Sequence, residues 1–199
     1  LRSPLEMAVS LYNQQVFSGN ETAKSFGKAW ALQDARRRGG GVPRLCSEPL
    51  HLLYADACRL GSQYQRLLEV VDRHQVFPIV YDDFKSQPSA VWHELLEFLE
   101  VAPADKHYFP AVNVAKFPRY FTVTRFLRGY ARARNVIGFR GFGTGVTSRL
   151  NRWNSGLKQK DSVPKELEAE MISTFADDVL LLSRLLGRDL SYWLGTSRG

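Results

Sequence analysis

Residues 76–101, VFPIVYDDFKSQPSAVWHELLEFLEV, join an apolar run to an amphipathic pattern. Five of the first six residues are apolar, which favours a short strand covered on both faces, and Pro78 keeps that strand short or near an edge. Asp82 and Asp83 then form an acidic turn, and Pro88 suits the first turn of a helix. The sequence therefore predicts a β-loop-α unit, in which the helix packs onto the strand through one apolar face made of Val91, Trp92, Leu95, Leu96 and Leu99.

Length and composition fit one folded domain. The chain has 199 residues, of which 44% are hydrophobic, and this excludes general disorder and allows a sizeable core. No apolar run approaches the roughly 20 residues of a membrane span, and no signal peptide opens the chain, so we expect a cytoplasmic protein without a transmembrane segment. Cys46 and Cys58 are too few for a zinc site or a disulfide scaffold, so they are interpreted as structural thiols and no metal is expected.

The first six residues, LRSPLE, predict a helix that begins at once. Ser3 suits the capping position, Pro4 the first helical position and Glu6 the position that a capping box requires. Arg2 stands just before this helix and Ser10 lies two turns inside it, so a cation and a hydroxyl could converge on an anion beside the first turns. The alternative interpretation is an ordinary surface arginine and a helical serine.

The segments before and after residues 76–101 are expected to be mostly helical. A short helix is expected around residues 22–35, and the run RRRGGG at 36–41 predicts a flexible surface loop, with substrate contact as an alternative. Residues 49–74 are expected to form helices with a break at 60–62 and a buried stripe made of Tyr64, Leu67, Leu68 and Val71. From Pro164 onward, regular apolar spacing predicts a long amphipathic helix that ends at Gly187, a residue typical of helix ends.

Positive charge is concentrated between Asn113 and Lys160. This segment contains eleven Lys or Arg and no Asp or Glu, so it carries +11 and the rest of the chain carries −4. Such a segment favours an anionic ligand or an anionic surface. It also holds an expected amphipathic helix over 122–134 and a glycine-rich loop over 138–145, whose spacing fits neither a Walker loop nor a dinucleotide fingerprint.

The unit at 76–101 resembles the pattern YEDF...P......FLG of sulfotransferases that use 3′-phosphoadenosine-5′-phosphosulfate (PAPS), with Glu100 in place of the usual glycine. The start of the chain is similar to the family's Arg-x-Pro motif and the serine eight residues after its arginine, which bind the 3′-phosphate of the nucleotide. Arg2, Pro4 and Ser10 match these three positions.

Three other segments are similar to sulfotransferase motifs. The segment GSQY at 61–64 resembles a Gly-Ser-x-Tyr motif that supplies a tyrosine to the adenine, which makes Tyr64 a candidate; a core tyrosine is the alternative. Residues 113–119 are similar in position to a segment that closes over the cofactor, so Lys116 and Arg119 are candidates. The tail at 187–193 resembles the family's G.DLS.W ending, whose role is packing.

The resemblance implies an α/β fold of the P-loop-kinase-like sulfotransferase type, with a central parallel sheet flanked by helices. It also implies a sulfotransferase that transfers a sulfuryl group from PAPS to a hydroxyl or amine of a carbohydrate, lipid or small-molecule acceptor and releases 3′-phosphoadenosine-5′-phosphate (PAP). The expected transfer is in-line and needs no metal: a base deprotonates the acceptor, and a lysine neutralises the charge on the leaving group.

The sequence departs from the family at the catalytic residues. In sulfotransferases the phosphosulfate-binding loop, its lysine and the base precede the arginine that corresponds to Arg2, and residues 1–199 contain no Gly-x-x-Gly-x-Lys sequence. We therefore expect residues 1–199 to form the C-terminal two thirds of a single sulfotransferase domain, without the N-terminal strand and phosphate loop. The catalytic residues stay unknown, this chain alone is expected to be inactive, and a homo-oligomer is left open.

Two other classes of protein remain as alternatives. Aromatic residues alternate with the basic ones between Phe117 and Tyr130, as in proteins that bind single-stranded nucleic acid, although no nucleic-acid-binding motif is present and nucleic acid is not the expected partner. A basic amphipathic helix over 122–134 would also suit a peripheral membrane protein.

Overall fold

The computed structural model describes residues 1–102, 109, 116–118, 123, 126, 129, 149–150, 153, 155–157 and 163–195. Helices that are described from end to end are α1 (Pro4–Phe17), α2 (Phe26–Ala31), α3 (Gln33–Arg37), α4 (Tyr54–Ala57), α5 (Leu60–Leu68), α6 (Tyr81–Ser86), α7 (Pro88–Phe98) and α8 (Lys165–Leu186). Short 3₁₀ helices lie at Pro49–Leu52, Arg73–Gln75 and Ser191–Trp193, and two strands lie at Lys116–Pro118 (β1) and Ser155–Leu157 (β2).

The chain folds into two compact units. The first contains residues 1–7, 58–113 and 168–199, and the second contains residues 8–57 and 114–167. Of the described helices, none is both long enough and apolar enough to cross a membrane.

An aromatic cluster forms the core of the second unit. The Tyr12 ring of α1 lies edge-on to Phe26 and Tyr54, with centroid distances of 5.7 and 6.2 Å, and Phe26 also contacts Trp30. The Tyr12 hydroxyl donates to the Ala23 carbonyl at 3.0 Å. Tyr12 and Val16 of α1 are both buried in this unit.

A buried ion pair lies in the same unit. Arg36 donates to Glu21 Oε1 at 2.9 Å and its Nη1 lies 2.8 Å from Oε2, while the Tyr54 hydroxyl donates to Oε2 at 2.7 Å. The backbone N–H groups of Thr22 and Ala23 also donate to Glu21, each at 2.8 Å. Burial raises the pKa of Glu21, but these hydrogen bonds, led by that of Arg36, outweigh it and hold the pKa below its usual value.

Only residues 38–41 of the run at 36–41 lie in the exposed loop that its composition predicts. Helix α3 contains Arg36 and Arg37, and Arg36 also donates through Nε to the Gly41 carbonyl at 3.2 Å. Arg37 donates to both carboxylate oxygens of Asp56, each at 2.9 Å. The prediction of a single helix over 22–35 is also wrong, because α2 and α3 are separate there. Acidic partners far along the sequence order these two arginines, and composition alone does not show such partners.

The second unit also contains the short antiparallel pair of β1 and β2. Lys116 lies opposite Leu157, and Pro118 lies opposite Ser155. No parallel sheet is present among the described residues, so the central parallel sheet stays a prediction. The expected helix at 122–134 is described only at residues 123, 126 and 129, all helical, and the glycine-rich loop at 138–145 lies outside the described residues.

In the first unit, residues 76–80 do not form a strand, although the backbones of Val76 and Val80 are extended. Only Val80 of this segment is buried, so the prediction of a strand covered on both faces is not met. The segment nevertheless has a backbone neighbour. The amino group of Leu1 donates to the Ile79 carbonyl, and the Tyr81 N–H donates to the Leu1 carbonyl at 2.7 Å. Leu1 is thus bonded to Ile79 and Tyr81, the residues on either side of Val80. This is the hydrogen-bond pattern of two parallel strands.

The predicted acidic turn is the helix α6 instead. Asp82 and Asp83 lie in its first turn, where carboxylates interact favourably with the positive end of the helix dipole. Helix α7 begins at Pro88, as predicted, and buries Val91 and Leu96. Leu99 was placed on the apolar face but is 54% exposed, because it lies beyond the last helical residue at the C-cap.

The C-terminal tail packs onto α6 through polar contacts. Trp193 Nε1 and the Tyr192 hydroxyl donate to Asp82 Oδ2 at 2.8 and 3.1 Å. Arg188 pairs with both carboxylate oxygens of Asp83, and this contact holds the pKa of Asp83 below its usual value. The tail at 187–193 therefore has the packing role that was predicted, and Asp82 and Asp83 are its anchors.

Helix α8 confirms the amphipathic prediction. Its buried side chains include Met171, Phe175, Val179 and Leu182, and the helix ends at Leu186, one residue before Gly187. The backbone φ of Gly187 is +65°, the left-handed conformation that favours glycine. Cys58, in the same unit, is buried, which raises the pKa of its thiol to about 12 and confirms a structural role.

Candidate functional site

Arg2 is held on two sides before the first turn of α1. Its Nε and Nη2 donate to Glu6 Oε2 at 3.1 and 2.9 Å. Its guanidinium carbon lies 5.0 Å from the centroid of the Tyr81 ring, within the range of a cation–π interaction. The Arg2 side chain is 36% exposed, so the group remains open to solvent on its other sides. The arrangement presents an oriented cation at a helix N-terminus.

The neighbouring backbone explains why Tyr81 lies beside Arg2. Leu1 pairs with Ile79 and Tyr81 through the two hydrogen bonds of parallel type described above, so the next residue, Arg2, is brought next to the first residue of α6. These contacts join two of the segments that resemble sulfotransferase motifs, although about eighty residues separate them in the sequence.

Glu6 does not act as a capping box in the way the sequence predicts, because Arg2 occupies its carboxylate. Ser3 nevertheless occupies the predicted capping position before Pro4, because its carbonyl accepts the first helical hydrogen bond, from the Met7 N–H at 2.9 Å. Ser10 is exposed and lies four residues beyond Glu6, so Arg2, Glu6 and Ser10 follow the i, i+4, i+8 spacing of one helical face. The Arg2 side chain extends along the first turn of α1, where it reaches Glu6.

Tyr64 lies in α5 and is only 5% exposed. Its hydroxyl is buried and has no hydrogen-bond partner among the described residues. A buried polar atom of this kind costs free energy unless a partner satisfies it. The Tyr64 hydroxyl is thus a buried polar atom that no described residue satisfies. The other predicted members of the α5 stripe are less buried, and Leu67 is 40% exposed.

The segment that precedes Tyr64 is fixed by a carboxylate from α8. Asp178 accepts the backbone N–H of Gly61 at 2.7 Å, the N–H of Ser62 at 2.9 Å and the Ser62 hydroxyl at 2.5 Å. Residues 60–62 were predicted to break the helix but form its first turn instead. Asp178 supplies the N-terminal cap that α5 lacks in its own sequence, and this fixes the start of the helix that carries Tyr64.

The remaining two candidates are Lys116 and Arg119. Lys116 lies on β1, where its backbone pairs with Leu157. Arg119 lies outside the described residues. The structure thus brings Arg2 next to Tyr81, a residue that was not a candidate, and it gives no distance that joins the five predicted site residues into one pocket.

Sequence reasoning missed three residues that organise this region: Glu6 as the partner of Arg2, Tyr81 as its aromatic support, and Asp178 as the cap of α5. One of them left a signal. Asp178 lies directly beside Val179 within the apolar face of α8, and an acidic residue on such a face needs a buried partner. Among the described residues, no group of three or more His, Cys, Asp or Glu side chains could hold a metal ion.

The described fold is similar to that of a sulfotransferase. The chain superposes on the crystal structure of a sulfotransferase from Alicyclobacillus acidocaldarius with a TM-score of 0.59 and 23% sequence identity. The match covers 97% of this chain and 55% of that protein, so residues 1–199 span about half the length of the sulfotransferase they match. No protein-family model matches the chain, and no curated protein matches its sequence. The similarity supports a sulfotransferase-like fold.

Proposed function

We propose that the protein is a sulfotransferase that transfers a sulfuryl group from PAPS to a hydroxyl or amine of a carbohydrate, lipid or small-molecule acceptor. The similarity in fold supports this class, because it extends over 97% of the chain. The observation that carries the proposal is the position of Arg2, an oriented and partly exposed cation at the start of α1.

The proposed donor contacts follow from chemistry at each position. Arg2 and Ser10 bind the 3′-phosphate, since a guanidinium and a hydroxyl near a helix N-terminus form charge-assisted hydrogen bonds with an anion. Tyr64 contacts the adenine, a role supported by its buried hydroxyl without a described partner. Lys116 and Arg119 of the basic segment are the further residues that we propose bind the nucleotide. When bound, PAPS supplies the activated sulfuryl group.

The residues of this chain bind and orient the donor in the proposed mechanism. A nucleotide fixed at its 3′-phosphate and adenine has few orientations left, so its reactive end points in one direction toward the acceptor. The positive charge of residues 113–160 attracts the anionic donor and raises its local concentration. Residues 1–199 contain no Gly-x-x-Gly-x-Lys sequence. We therefore propose that they act as the C-terminal two thirds of the catalytic domain, and that the lysine and the base lie outside them.

Ligand titration at two salt concentrations tests the proposal against nucleic-acid binding. The natural-length protein should be titrated with PAP, with ADP and with a single-stranded oligonucleotide. A donor site should prefer PAP to ADP, because only PAP carries the 3′-phosphate. An open basic track should instead bind the oligonucleotide with a steep salt dependence that grows with the number of phosphates contacted. Equal affinity for PAP and ADP, together with tight and salt-sensitive oligonucleotide binding, would reject the sulfotransferase proposal.

A further inference from the structure

We infer that Tyr81 and Glu6 are positioning residues for Arg2: Tyr81 holds the guanidinium over its ring, and Glu6 is a resting counter-ion that the 3′-phosphate of the nucleotide displaces. The inference rests on the proposed function, because it assigns Arg2 to the 3′-phosphate. It concerns two residues that the sequence motifs did not single out for binding.

Tyr81 and Glu6 contact different parts of the Arg2 guanidinium: Tyr81 lies against its face, and Glu6 binds one edge. The guanidinium carbon lies 5.0 Å over the centroid of the Tyr81 ring, so Tyr81 contacts the face of the group and uses none of its N–H donors, which lie in the guanidinium plane. Glu6 uses only the edge formed by Nε and Nη2. An anion that replaces Glu6 therefore meets a donor pair whose orientation is already set, and the aromatic support is kept during the exchange.

Replacement of Glu6 by the 3′-phosphate is favourable because the phosphate forms the stronger interaction with Arg2. The pair of Arg2 with Glu6 is an i,i+4 contact with 47% of the Glu6 side chain exposed, and pairs of this kind contribute little. A phosphate group brings a larger negative charge and more acceptor oxygens, so it forms the stronger charge-assisted bonds. Glu6 also repels an approaching phosphate, which means that it lowers affinity for the nucleotide while it keeps Arg2 extended along α1.

The position of Tyr81 is fixed by a hydrogen bond of its own backbone and by hydrogen bonds to the side chain of the next residue. The Tyr81 N–H donates to the Leu1 carbonyl at 2.7 Å. The next residue, Asp82, accepts hydrogen bonds from Trp193 and Tyr192 at 2.8 and 3.1 Å. Tyr81 is nevertheless 42% exposed. A residue that is anchored in this way and partly exposed is suited to support a ligand-binding side chain rather than to fill a core.

The test compares dissociation constants for PAP and AMP, which differ only in the 3′-phosphate, by calorimetry on the natural-length protein. Tyr81→Leu removes the aromatic face and should weaken PAP binding by about threefold without changing AMP binding. Tyr81→Phe keeps the ring and should restore the original preference for PAP. Glu6→Gln removes the competing charge and should tighten PAP binding by about twofold, again without changing AMP binding.

The ratio of the two dissociation constants separates this inference from the proposed function. If the unmodified protein shows no preference for PAP over AMP, both the proposed function and this inference fail. If the preference exists but Tyr81→Leu and Glu6→Gln leave it unchanged, only this inference is overturned. Each variant is first checked for native thermal unfolding. If Tyr81→Leu does not fold, the PAP and AMP dissociation constants of Glu6→Gln, which changes an exposed residue, still test the inference.

Discussion

The carboxylate of Asp178 accepts the backbone N–H of Gly61 at 2.7 Å, and the backbone of the same aspartate packs directly against the Gly61 Cα. A Cβ at residue 61 would overlap the Asp178 carbonyl oxygen, far inside van der Waals contact, and would also crowd the Leu182 backbone nitrogen at 3.1 Å. The first turn of α5 therefore reaches α8 only because residue 61 is a glycine, and the helix that carries Tyr64 depends on this contact.

Gly61→Ala should lower the free energy of unfolding by about 3 kcal/mol, because the added methyl forces two backbones apart and disturbs the Asp178 cap. The measurement is urea unfolding followed by circular dichroism. Gly195→Ala is the matched control, since a Cβ there would have no atom within 4 Å, and it should change stability by less than about 0.5 kcal/mol. Equal stability of the two variants would show that α5 does not pack as described.

Helices α7 and α8 end in the same way with different residues. After α7, Glu100 N–H donates to the Glu97 carbonyl and Val101 N–H to the Leu96 carbonyl, both at 3.0 Å, which is the complete Schellman motif. After α8, Gly187 and Arg188 form the equivalent pair of bonds. The left-handed position is Gly187 in one motif and Glu100, with φ of +55°, in the other. Glu100 is also the position at which the sulfotransferase pattern has glycine.

Substitutions at these two positions should have opposite signs. Glu100→Gly should stabilise the protein by about 0.5 kcal/mol, because the relief of left-handed strain exceeds the added flexibility of the unfolded chain. Gly187→Ala should destabilise it by about 1 kcal/mol, because it introduces the same strain at a site without a neighbour within 4 Å. Thermal unfolding of both variants measures the difference. A lower midpoint for Glu100→Gly would contradict the assigned cap.

The parts of the fold that sequence predicted well are those specified locally. Pro4 and Pro88 mark the starts of α1 and α7, and the spacing of apolar residues defines α8 up to Gly187. Local signals failed where a distant partner decides the structure. The sequence around Arg36 predicts a loop, but in the structure Arg36 is helical and paired with Glu21. Residues 82–83 were predicted as a turn but belong to α6, whose acidic first turn is bound by Arg188 and the rest of the C-terminal tail.

The candidate site, like the fold, was predictable only where a local sequence pattern specifies it. The motif identified Arg2, but its contacts with Glu6 and Tyr81 depend on the backbone pairing of Leu1 with residues 79–81, which no local pattern encodes. The position of Lys116 on a strand was not expected from the sequence either.

Glu21→Gln should lower the free energy of unfolding at pH 7 by about 3 kcal/mol, because it leaves Arg36 buried without its counter-charge. The pKa of Glu21 is lowered in the folded protein, so its ionised form stabilises the fold above the unfolded-state pKa of about 4.3, and this contribution is lost as the pH falls toward the lowered value. The variant should therefore lose less stability than the unmodified protein between pH 7 and pH 3. Urea unfolding across this range measures both effects.

The control for this prediction is Glu6→Gln, which removes a half-exposed carboxylate and should cost less than about 0.5 kcal/mol at pH 7. If Glu21→Gln costs no more than Glu6→Gln, the buried pair does not stabilise the second unit. An unchanged acid dependence in Glu21→Gln would separately contradict the lowered pKa.

Residues 1–199 alone should transfer sulfate from PAPS orders of magnitude more slowly than the natural-length protein. The reason is that the lysine and base that we place outside these residues stabilise the transition state, and losing such contacts together reduces the rate steeply. The measurement is the release of PAP in the presence of a panel of alcohols and amines. Rapid turnover by the purified 199-residue chain would show that its own residues include the catalytic groups.

Calorimetric titration of PAP into Arg2→Ala tests the central claim most directly. Charge-assisted hydrogen bonds to a phosphate contribute about 1.5 to 3 kcal/mol, so the variant should bind PAP at least about tenfold more weakly while its affinity for AMP stays the same. Arg184→Ala, which removes an exposed arginine of α8 in the same unit, lowers the net charge equally and should leave PAP binding unchanged. An Arg2→Ala protein that folds normally and binds PAP as tightly as the unmodified protein would contradict the account.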